Sequence, residues 1–103
     1  MMRVLHLTLK KKWFDLIASG EKKEEYREVK QYWIKRLHNK EFDYVQFRNG
    51  YSKDSPIIRV EFICLRLHKG KKEWGAPPEP VFIIKLGKIL SGKRRILICT
   101  SKQ

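Results

Sequence analysis

Acid is scarce in this chain. Its 103 residues hold 11 Asp+Glu against 24 Lys+Arg, a formal net charge of +13. That balance disfavours a basic partner and favours a polyanion, nucleic acid first and an anionic membrane surface second. The surplus is spread, with twelve basic and seven acidic side chains in residues 1–50 and twelve and four in 51–103, so there is no separate basic tail. Cysteine is scarce as well. Cys64 and Cys99 each sit in a short apolar run, without a CxxC partner or a histidine cluster, which excludes zinc-site and redox spacing and reads as two buried free thiols. No metal or other cofactor is expected. Four prolines and six glycines form no linker, so the chain reads as one domain over residues 1–103. No apolar run reaches membrane-spanning length, and MMRVLHLTLKKK lacks the apolar stretch and cleavage site of a signal peptide. A cytoplasmic protein without membrane association is expected.

What the chain does have is enough apolar material, 42% with twelve aromatics, for a small core. Val4 to Leu9 alternates as a strand with Leu5, Leu7 and Leu9 on one face. Trp13, Phe14, Leu16 and Ile17 recur at helical spacing between Lys10 and Ser19, and Gly20 is a left-handed stop. Residues 21–30 read as too acidic and irregular for a core element. Tyr32, Trp33, Ile34 and Leu37 predict a second short helix, and Phe42 to Arg48 a strand closed by the Asn49-Gly50 turn signal. Ile57 to His68 is the longest strand candidate. Its apolar phase slips from Ile58-Val60-Phe62 to Ile63-Leu65-Leu67, which predicts a bulge or a bend around a barrel. A proline-rich loop, 69–80, carries Trp74; Val81 to Leu90 resumes as a strand with a kinkable Gly87, and Ile96 to Cys99 adds a short one. The pattern is α+β: five or six strands in a small, curled or closed sheet, with two short helices inserted early.

Residues 20–27, GEKKEEYR, fit the pattern G-x-K-x-x-E-x-R and follow the strand-then-helix lead-in LHLTLKKKWFDLIAS. With FDYVQFRNG and VFIIKLGKIL in the same order downstream, the chain resembles the ASCH domain family, a branch of the PUA-like superfamily. The resemblance spans most of the chain. It implies a small PUA-like β-barrel with a cleft beside the first helix, and a role in RNA binding or RNA-linked chemistry.

The same residues carry a chemistry of their own. Gly20 reverses the chain at a fixed point and delivers Lys22 to the end of the helix. In an extended segment Lys23, Glu25 and Arg27 share a face. Arg27 can grip a phosphate or carboxylate with two parallel N–H donors, and Glu25 can accept from a base or an amine. Tyr26 and Arg48 are further candidates to line the cleft. Lys10, Lys11 and Lys12 lie at the positive end of the first helix dipole, as either a phosphate site or three solvated lysines. Trp74, flanked by Lys69, Lys71 and Lys72, either stacks on a base or caps the core, whereas Trp13 and Trp33 read as core. Lys93-Arg94-Arg95 reads as a solvated basic segment.

A binding module for RNA or a nucleotide is the expectation. The alternative is a small enzyme of the same fold, a ribonuclease or an amidohydrolase on N4-acetylcytidine-type substrates, with Lys22 and Glu25 as its acid/base pair. Some members of the family are such amidohydrolases and use the motif lysine, a threonine at the position of the motif's last acid, and a glutamate from a later strand. Lys22 matches, but Glu25 stands at the threonine position, which leaves Thr8 as the nearby hydroxyl and Glu61 as the further carboxylate. A protein-interaction adaptor is the third class.

Overall fold

The computed structural model describes residues 2–92. The expected strand Ile96 to Cys99, its Cys99 and the basic run 93–95 lie outside the described residues. The order is β1 (Val4–Leu9), α1 (Lys11–Ala18), β2 (Glu24–Arg27), α2 (Gln31–Leu37), β3 (Tyr44–Asn49), β4 (Ile57–His68), a 3-10 turn (Lys72–Trp74) and β5 (Val81–Gly92). The fold is α+β, one curled five-stranded sheet with two short helices.

Across the sheet the strands run β1-β3-β4-β5-β2, so β1 and β2, early neighbours in sequence, become its two opposite edges. β1 and β3 are parallel and the other pairs antiparallel. Alternation sends Leu5, Leu7 and Leu9 of β1, Val45 and Phe47 of β3, and Ile58 and Val60 of β4 to the concave face. Phe14 and Ile17 of α1 and Leu37 of α2 join them, with Phe82, Ile84 and Leu86 of β5, in one core cluster.

The phase slip read in β4 is real. Its register against β5 shifts between Arg59 and Val60, between Val60 and Phe62, and between Phe62 and Cys64. Beyond these irregularities Leu65 and Leu67 stand opposite Ile84 and Phe82, on the side of the core. Bulges bend the strand that carries them, as a strand of a curled sheet must bend.

Candidate nucleic-acid interface

The site starts from the glycine. Gly20 has φ +87°, a conformation that strains any residue with a Cβ. Its N–H returns to the carbonyl of Ile17 and that of Lys22 to the carbonyl of Leu16, both at 3.0 Å. The helix is thereby closed and Lys22 is pinned at the C-terminal end of α1, where the helix dipole favours a cation.

The expectation that residues 21–30 stay out of the core is corrected. Lys22 is 2% exposed and Glu25 7%, and they are the buried charged residues among those described. β2 pairs along its whole length with β5, Glu25 opposite Ile84 and Arg27 opposite Phe82, so these side chains enter the concave face. Lys22 Nζ donates to Glu25 Oε1 at 2.8 Å and to the carbonyl of Glu24. Arg27 Nη2 donates to the other carboxylate oxygen, Oε2, at 2.7 Å. Lys23, expected beside them, is exposed. The lysine that reaches the carboxylate comes instead from three residues before it.

Three formal charges in this cluster sum to +1, with one carboxylate shared between two cations. Burial pushes the Lys22 ammonium below its ordinary value of 10.5; Glu25 pulls it back up, and Arg27 lowers it further. Arg27 also reaches the carbonyl of Thr8 at 3.4 Å, which bridges the open seam between the two edge strands. Its guanidinium carbon lies 5.0 Å from the ring centre of Trp33. Arg27 Nε is buried with no hydrogen-bond partner. Natural structures rarely leave such a donor unfilled without a reason.

No family model, curated protein or solved structure matches this chain.

The outward side of β2 is a second polar layer. Tyr26 donates its hydroxyl to Glu24 Oε1 at 2.7 Å and accepts the backbone N–H of Lys71 at 2.9 Å, while Lys85 Nζ reaches Glu24 Oε2 at 3.0 Å. Burial raises the Glu24 carboxyl, but the Tyr26 and Lys85 hydrogen bonds outweigh it and hold the group below its ordinary value. The Tyr26 phenol moves up, from burial first; the Lys71 N–H opposes that rise and Glu24 reinforces it. Tyr26 is thus a strut beneath the loop that follows β4. That loop also touches α1: Gly75, at φ +95°, lies so close to Trp13 that a Cβ would sit 2.9 Å from the indole. Trp74 is half-buried with Lys71 Nζ 4.5 Å from its ring centre, so it neither vanishes into the core nor stands free.

Of the other sequence candidates, Lys10, Lys11 and Lys12 are exposed at the start of α1, which has no side-chain cap and no acid in its first turn. Lys11 is held by Asp15 at 2.6 Å, and Lys12 lies over Trp13 at 4.7 Å. Arg48 lies apart from the cluster: it stands opposite Thr8 on the outward face and donates to the carbonyl of Ser52 at 3.0 Å. Glu61 is also turned outward, its Oε1 accepting the backbone N–H of Lys88 at 3.2 Å against Gly87.

Four participants escaped the sequence reading. Glu24 and Lys85 form a cross-strand pair, and the signal for it is a lone lysine interrupting the apolar run VFIIKLG. Tyr32 and Arg36 extend the aromatic surface: Tyr32, 57% exposed, meets Trp33 edge-on at 4.8 Å, and Arg36 lies 5.5 Å from the Tyr32 ring centre. Alternating cations and rings on one helix face, one turn apart, were the available signal.

Proposed function

We propose that this chain is an ASCH-type module that binds single-stranded RNA or a nucleotide at the seam between β1 and β2. The observation that carries the reading is the cluster of buried Lys22 and Glu25 with half-buried Arg27, its surplus positive charge and its unfilled Arg27 Nε donor. Burying charge in a small core is a poor route to stability, since apolar residues of similar volume do as well or better. Charged groups in such a place are the mark of a site that completes itself with a ligand. A phosphate or another anionic acceptor supplies what the cluster lacks. Beside it, Arg27, Trp33, Tyr32 and Arg36 alternate guanidinium and ring, the arrangement on which unpaired bases stack while phosphates pair with arginine.

Lys22 with its lowered proton affinity favours the enzyme as the second reading, because a lysine that sheds its proton more easily is a better base. The amidohydrolase arrangement lacks support from the remaining residues: Thr8 lies on the outward face of β1, and the carboxylate of Glu61 is occupied at Lys88.

Fluorescence anisotropy with a short labelled single-stranded RNA, at several salt concentrations, tests the module. Arg27→Lys keeps the charge and loses the fork; it should weaken binding about tenfold, the worth of one good charge-assisted contact. Equal affinity for wild type, Arg27→Lys and Arg27→Ala would refute the site. Cytidine appearing from N4-acetylcytidine, and its loss in Lys22→Met, would promote the enzyme.

A further inference from the structure

The concave face does not end at the core. Past the bulges of β4 it opens into a cavity of about 710 Å³ between the distal half of that strand and the loop joining α2 to β3. That size falls in the roughly 300–1,000 Å³ range of small-ligand sites. Its walls are mixed: Phe42 and Phe62 meet edge-to-face at 5.5 Å with Leu65, Leu67 and Phe82 on the strand side, and His38, Asn39, Glu41 and Arg66 add polar groups to the lining. Lys40 belongs to the lining on the loop side. One of its three ammonium donors goes to the carbonyl of Lys35, at 2.9 Å.

A row of paired residues links the cavity to the site at the seam through Phe82, which lines the cavity and stands opposite Arg27. Arg27 of β2, Phe82 of β5 and Leu67 of β4 are direct partners in successive strands, so they form one row across the sheet. Arg27 ends that row in the charged cluster, and Leu67, 60% exposed, ends it at the cavity mouth. A ligand lying along the row meets a guanidinium first and aromatic walls next.

We propose that this cavity receives one unstacked base of a single-stranded RNA whose adjoining phosphate is held by Arg27, a reading that rests on the RNA site proposed above. Three features argue for a base over an aliphatic chain or a second protein copy. The walls present ring faces and edges suited to a planar π-system. Lys40 in the lining and Arg27 at the far end of the row match a phosphate on either side of the base. The chain as a whole carries +13, which draws a polyanion to it.

The test uses methyl-labelled protein and NMR, with Leu65 and Leu67 as reporters, because a base stacked among these walls moves their methyl signals by its ring current. A short single-stranded RNA should shift both methyls. The same RNA carrying abasic residues should not, although it keeps every phosphate. Leu67→Glu, a change at an exposed position that leaves the core intact, should weaken RNA binding about tenfold and abolish the Leu65 shift. If RNA binds in an Arg27-dependent way while the methyls stay unmoved, the base pocket is wrong and the seam site stands. Methyl shifts that follow protein concentration without RNA would make the cavity a dimer face and overturn the proposal. If RNA fails to bind even at low salt, both the seam reading and the base pocket fall.

Discussion

Glu25 is the counter-ion for two cations at once, and that makes the cluster asymmetric to mutation. Glu25→Gln leaves the buried Lys22 and the half-buried Arg27 side by side without an anion, and should cost about 3 kcal/mol, as expected when one partner of a buried pair is removed. Lys22→Met leaves Glu25 still paired with Arg27 and fills the same space; its stability should stay within about 1 kcal/mol of the wild type. Urea unfolding of the two variants checks the order, and equal losses would contradict it. The titrating groups add a pH signature. Because the folded state holds the Lys22 proton less tightly than the unfolded chain does, unfolding takes up a proton in the alkaline range below 10.5, and stability there rises with pH. Tyr26 works the other way. Its proton is held more tightly when folded, so its contribution is complete below its ordinary value of 10.0 and is lost as pH climbs beyond it. Unfolding midpoints measured from about pH 8 to about pH 11 should lose their rise in Lys22→Met and their final fall in Tyr26→Phe.

At the scale of elements, the loop after β4 is the piece that seals the outward side of the motif. It is fastened at two points, the Lys71 N–H on Tyr26 and Gly75 against Trp13. Gly75→Ala forces a Cβ into the indole at a left-handed backbone position, and should cost more than about 1 kcal/mol. The tryptophan emission of the folded variant should shift to the red as the loop lifts. Sequence periodicity made most elements legible, because leucines at every second position in β1 and apolar residues a turn apart in α1 report local geometry directly. Even the bulges of β4 were legible, since a change of face leaves a change of phase. Burial of Lys22 and Glu25 was not. The signal around them, four glutamates in ten residues, is that of a solvated segment, and what covers it is β5, whose Lys85 stands 61 residues from Glu24. The motif positions Lys22, Glu25 and Arg27 come together as their spacing suggested, whereas Lys23 leaves the face it would share in an extended segment because β2 begins only at Glu24.

For the whole molecule, the proposed RNA reading makes +13 and the seam two separable kinds of binding. Long-range attraction comes from the exposed lysines, and each phosphate contact on a single strand adds about 0.7 to the slope of log affinity against log salt. Replacing Lys10, Lys11 and Lys12 with alanine should flatten that slope while leaving preference among RNA sequences intact. Leu67→Glu should do the reverse, lowering affinity at every salt concentration with the slope almost unchanged. Binding titrations across a salt series read both effects.

The sheet order sets a timetable. β2 emerges early in synthesis, yet its strand partner is β5, which comes more than fifty residues later. A nascent chain that has reached the proline-rich loop can already pair β1, β3 and β4, while its Lys22 and Glu25 have no wall to close them in. Contacts of such long sequence separation form slowly. The charged cluster therefore closes near the end of folding, and its assembly is a report that the whole fold has closed.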